Sequence, residues 1–198
     1  PPPRIPPPMR LPSDISAMVE LLPQLKRILE AAREEHGDRH PETLAALSNY
    51  GRLLQAQGKS QEAEPLLRED LEARRGILGD RHPGTMVAIG NYAMLLQEQG
   101  KLGEAGPLCK EVLDLRREAL GDTHPGTLVA ISNYGRLLQQ QGRLDEAGAL
   151  LKEVLDTRRA TLGDRHAGTL ASISNYAGLL KEQGRLDEAS PLFKEDLE

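Results

Sequence analysis

The stretch 121–162, GDTHPGTLVAISNYGRLLQQQGRLDEAGALLKEVLDTRRATL, returns along the chain at a fixed spacing of 42 residues. Identical residues lock the phase: Gly37, Gly79, Gly121 and Gly163; Asn49, Asn91, Asn133 and Asn175; Gly58, Gly100, Gly142 and Gly184. The four tyrosines, Tyr50, Tyr92, Tyr134 and Tyr176, fall at a single position of the period. Units of this length are too small to bury their own apolar faces, so each must be covered by the next. The period restricts the chain to a stacked array.

Within each unit the spacing of apolar residues is helical. Leu44, Leu47, Tyr50, Leu53 and Leu54 recur at three- and four-residue steps, which predicts a first helix over about 41–57. Pro41, Pro83 and Pro125 stand at its start, where a missing N–H costs little, and Ala167 takes that place in the last unit. Gly58 supplies the stop. A second helix is predicted over about 60–78, with Ala63, Leu66, Leu67, Leu71 and Leu78 inward. Pro65, Pro107 and Pro191 lie near the first turn of that helix, where at most one early bond is lost. Gly51, Ala93, Gly135 and Ala177, with Ala63, Ala105, Ala147 and Ala189, offer the small surfaces that close helix crossing requires.

The expected fold is therefore all-α, an α-solenoid of stacked antiparallel helix pairs. Four units are expected, over 37–78, 79–120, 121–162 and 163–198, the last with an incomplete second helix. Segment 13–36 aligns with the second helix of a unit (Pro23 with Pro65, Leu29 with Leu71) and reads as an amino-terminal capping helix, with Ser13 or Asp14 as its N-cap. Segment 1–12, PPPRIPPPMRLP, holds seven prolines and reads as extended polyproline II or disordered chain. It is either a solvated leader or an extended ligand for a groove on this molecule or a neighbour.

Composition removes several function classes. A net charge of -5 with no Lys/Arg block argues against nucleic acid or an anionic membrane as main ligand. Aromatics at 3% leave no stacking platform for bases, and no apolar run approaches the roughly 18 residues that span a bilayer. The amino terminus is Pro-rich rather than basic-then-apolar, unlike a signal peptide. Cys109 is the single cysteine, at a position held elsewhere by Leu67, Leu151 and Phe193, and reads as a small core hydrophobe rather than a reactive thiol. A cytoplasmic location fits these points, and they do not exclude export.

The apolar–Asn–apolar–small run, the following Gly and the Glu-Ala opening of the second helix resemble a tetratricopeptide repeat. The 42-residue length and the strings GDRHPGT, SNYGRLLQQQGRLDEA and PLLREDLEARRGIL resemble the kinesin light chain type of that family. The eight residues beyond the usual 34 would add about 12 Å if helical. The resemblance implies a superhelix whose concave face, lined by first helices, takes an extended peptide or partner helix. Carried over residue by residue, that face holds Ser48, Asn49, Arg52 and Gln55; Asn91, Met94 and Gln97; Ser132, Asn133, Arg136 and Gln139; and Ser174, Asn175 and Lys181. The asparagines are open to two readings: a ladder binding a peptide main chain, or amides satisfying backbone groups between helices. The chain also departs from the type. It shows no heptad coiled coil, only Arg52, Arg136 and Lys181 supply groove cations, and Asp70 and Asp196 stand where the middle units carry Val112 and Val154.

His40, His82, His124 and His166 form the most chemical-looking set. Ligands must approach one ion to roughly 2 Å, whereas equivalent atoms of stacked units stand at least about 8–10 Å apart. Loop structure or helix capping is the better reading. No phosphate loop, GxSxG or HExxH motif occurs. The residues predict no metal site, no cofactor and no enzyme activity. The expected function is a protein-protein interaction scaffold that binds a peptide or protein partner. The competing one is a self-associating array or filament subunit, joined through the Pro-rich arm or open repeat ends, since open ends favour head-to-tail contacts. PLFKEDLE at the end echoes PLLREDLE of the first unit, which suggests a longer array repeating every three units.

Overall fold

The computed structural model describes residues 9–12 and 14–195. The polyproline reading of residues 1–8, Ser13 as a cap and the placement of Asp196 lie outside the described residues. All regular structure among the described residues is helical: α1 (Ile15–His36), α2 (Pro41–Ala56), α3 (Ser60–Leu78), α4 (Pro83–Glu98), α5 (Leu102–Leu120), α6 (Pro125–Gln140), α7 (Leu144–Leu162), α8 (Ala167–Glu182) and α9 (Leu186–Glu195). The chain divides into two compact units, Pro1–Ala105 and Gly106–Glu198, with the boundary inside α5.

In the first unit α1 packs on α2, α2 on α3 and α3 on α4; in the second, α6 packs on α7, α7 on α8 and α8 on α9. Packing in chain order of short-linked helices is the all-α solenoid of helix pairs. Leu44, Leu47, Leu53, Leu54 and Leu67 are essentially inaccessible to solvent. Leu29, Leu44, Ala46 and Leu47 form one cluster, with Tyr50, Leu66, Ala73 and Ile77 against it. Leu138, Ala147, Leu151 and Leu179 form the corresponding one in the second unit.

The small residues sit where the axes cross. A Cβ on Gly51 would lie 2.8 Å from Leu67 Cδ2, and one on Gly135 would lie 3.1 Å from Leu151 Cδ2. Ala63 and Ala147 have no exposed surface, so a larger side chain there overpacks the pair at about 1–3 kcal/mol.

The junctions repeat as faithfully as the core. Gly79 has φ 78, a left-handed value that a side chain resists, and its N–H bonds Arg75 O at 3.1 Å to close α3. Arg33 Nε reaches Asp38 at 3.2 Å, and the pairs Arg75–Asp80, Arg117–Asp122 and Arg159–Asp164 repeat that contact at 3.0–3.1 Å. Thr43, Thr85, Thr127 and Thr169 are fully buried. Thr43 Oγ1 donates to Gly37 O at 2.7 Å and Thr127 Oγ1 to Arg116 O at 3.3 Å, fastening the start of a first helix to the end of the helix before it. Asp14 caps α1 by accepting from the Ala17 N–H at 2.9 Å.

Candidate functional site

Asn49 and Arg52 stand three residues apart on α2, so both side chains project from one face. They meet on a single residue. Asn49 Oδ1 accepts from Met9 N–H at 2.9 Å, and Arg52 Nη1 donates to Met9 C=O at 3.0 Å. Both partners are main-chain groups, so the contact reads backbone rather than side chain. Prolines occupy positions 6–8, and Met9 is the first residue after them with an N–H to offer. Burial pulls the Arg52 pKa below the usual guanidinium value, yet the group stays charged at neutral pH.

The other positions expected on this face divide by exposure. Ser48 is buried and accepts from Asn91 Nδ2 at 3.4 Å, so these two join α2 to α4 rather than opening outward. Gln97 is buried, Gln55 is half-buried and Met94 is exposed. On α6, Ser132 turns its hydroxyl onto Leu128 O at 2.9 Å of its own helix; Asn133 and Gln139 are half-buried and Arg136 is exposed. On α8, Ser174 bonds Leu170 O at 3.2 Å, while Asn175 and Lys181 are exposed. Lys181 also lines an open cavity of about 330 Å³ with Leu186, Ala189, Ser190, Phe193 and Lys194. Asn49 thus meets the main chain of Met9, and Asn91 meets a hydroxyl between α2 and α4.

Several residues important to the geometry were not singled out from sequence. The buried threonines are one group. Another is the glutamine after each first helix: Gln57 Nε2 donates to Met18 O at 2.9 Å, and Gln183 Nε2 to Leu144 O at 3.1 Å. Recurrence every 42 residues was the available signal for both.

The histidine ladder is used in capping. Nδ1 of His82, His124 and His166 accepts the N–H two residues on, at 3.0 Å, and His40 does so at 3.3 Å. Cys109 is buried and burial pushes its thiol up to about 11, which leaves it un-ionised and unreactive at neutral pH. One group of potential metal ligands converges among the described residues: His36, His40 and Glu42.

Stacked helix pairs with a polar first-helix face define a helical-repeat scaffold. Residues 18–76, 84–159 and 129–198 match the tetratricopeptide repeat family, and the chain belongs to that family. Its repeats are of the kinesin light chain-like type. The crystal structure of a kinesin light chain-like protein from Podosopora anserina, with nearly identical TPR-like repeats, is 26% identical with a TM-score of 0.81, covering 91% of this chain and 86% of that one. A crystal structure of a methionine-substituted form of the same protein gives 25% and 0.83, over 91% and 85%. BtubC (BKLC) from P. vanneervenii shares the fold at 19% identity and a TM-score of 0.75, over 91% of this chain and 72% of that one. No curated protein matches the sequence. The repeat fold generally mediates protein-protein interaction, and its members are typically non-catalytic. Among the described residues no helix is long and apolar enough to cross a membrane.

Proposed function

We propose that this chain is a non-catalytic interaction scaffold that holds an extended peptide by its main chain, along the first-helix face carrying Asn49 and Arg52. The observation that supports this reading is the two-point contact of Asn49 and Arg52 with the N–H and C=O of Met9. An amide oxygen and a guanidinium at that spacing fit one residue of any extended chain with a free N–H. A proline-flanked segment suits the role because it loses little conformational freedom on binding. The chain's own arm then occupies the site until a partner segment displaces it.

The test uses a labelled peptide, PPPRIPPPMRLP, titrated into the full chain and followed by fluorescence anisotropy. The tethered arm competes at high effective concentration, so Met9→Pro, which removes the N–H, should tighten peptide binding by about tenfold. Asn49→Ala and Arg52→Glu should each weaken it by about tenfold or more, the weight of a charge-assisted hydrogen bond. Equal affinity in all four proteins sinks the reading. In the self-associating alternative the arm of one copy would make the Met9 contact in a neighbour's site. Light scattering would then show a mass that rises with concentration in the wild type and stays constant in Arg52→Glu.

A further inference from the structure

Two positions at the junction of the capping helix with the first unit break the repeat together. His36 stands where the later units have Leu78, Leu120 and Leu162, and Glu42 stands where they have Gly84, Gly126 and Gly168. His36 lies in the last turn of α1, His40 caps α2 and Glu42 lies in its first turn. The turn between the two helices brings them together. The two imidazole rings stack with centroids 4.3 Å apart, and His36 Nε2 is 3.3 Å from Glu42 Oε2 and 3.8 Å from Glu35 Oε1. One ligand atom from each of His36, His40 and Glu42 lies within 4.8 Å of the others.

We infer that His36, His40 and Glu42 form a binding site for a zinc-class divalent cation, which would pin the end of α1 to the start of α2. Two neutral imidazoles and a carboxylate are a donor set that zinc accepts. Tetrahedral ligands at roughly 2.0–2.2 Å from the ion lie about 3.3–3.5 Å from one another. Side-chain rotation closes the present separation, since His36 and Glu42 are exposed and only His40 is half-buried. Glu35, or water, completes the shell. The His40 cap is the longest of the four, 3.3 Å against 3.0 Å, so His40 gives up least by turning a nitrogen to an ion. The ladder argument against metal does not touch this site, because His36 lies off the ladder and all three ligands belong to one junction. Its location is separate from the Asn49–Arg52 face, so it stands whether or not that face binds peptide.

The test is zinc titration of the untagged full chain by isothermal calorimetry, with thermal melting at matched zinc concentrations. His36→Leu and Glu42→Gly restore the residues of the other three units and so should fold. The wild type should bind one zinc per chain and gain melting temperature with zinc. Each variant should bind at least about tenfold more weakly and lose the zinc-dependent rise. Absence of stoichiometric binding by the wild type, or unchanged affinity in either variant, overturns the site.

Discussion

The second helices of the first and third repeats face the same packing problem with different side chains. In α3 the buried position ahead of Leu71 is Asp70; in α7 the one ahead of Leu155 is Val154, and each is 1% exposed. An arginine follows four residues later in both. Arg74 donates to Asp70 Oδ1 at 2.5 Å and to Leu44 O at 3.2 Å, back into its own repeat. Arg158 donates to Gly168 O and Ser172 Oγ, both at 2.8 Å. Arg74 also stands beside Gly84, its Nη1 3.0 Å from where a Cβ there would lie, so what the carboxylate adds is a buried charged partner. It comes at a cost, since burial outweighs Arg74 and the Ser48 hydroxyl and pushes Asp70 up to about 6. A buried ion pair offers specificity of contact, whereas the valine version needs no charge to be desolvated.

The comparison breaks most sharply at the arginine. Arg74→Ala leaves a buried carboxylate uncompensated and should destabilise the chain by about 3–5 kcal/mol at pH 7, while Arg158→Ala, with no such partner, should cost about 1–2 kcal/mol. Urea denaturation of both variants measures the gap, and equal losses would refute the uncompensated-charge account.

Asp70→Val, which installs the middle-repeat residue, should be neutral or stabilising at pH 7, because no buried carboxylate is left to desolvate. Its pH dependence sharpens the point. A folded pKa of about 6 exceeds the ordinary carboxylate value of about 3.9, so between those limits the folded state holds more protons than the unfolded one. Stability from this group is present at pH 4 and declines as pH rises to 6. The wild type should therefore lose about 2–3 kcal/mol relative to Asp70→Val across that window. A constant difference from pH 4 to 7 would rule this out.

Smallest is the exposed counterpart. Lys152 and Asp156 pair at 2.5 Å on the open side of α7, and solvent screens them. Lys152→Ala should change stability by no more than about 0.5 kcal/mol, within the error of most denaturation curves, and a loss near that of Arg74→Ala would contradict the burial argument.

The architecture was legible because period, prolines, glycines and apolar spacing all act locally and agree with one another. Helix limits fell within a residue or two of the expected ones for the same reason. Asp70 was visible as an anomaly, but its partner was not, because pairing depends on which way a long arginine turns. The candidate face was legible in part. Asn49 and Arg52 meet the main chain of Met9, whereas Ser48 and Gln97 are buried, since a polar strip one helical position from the packing stripe can rotate into it. The signal for His36 is the reverse of a repeat, a departure from the leucine of the other units.

Each junction carries the same closing set: a glycine, an Asp held by an arginine, a histidine cap and a buried threonine. A segment excised between Gly79 and Gly121 would leave ends already shaped for each other, and one inserted there would find both its neighbours prepared. Such a chain can change length by whole units through in-frame duplication or deletion of coding sequence, without any residue at the seam having to be reinvented.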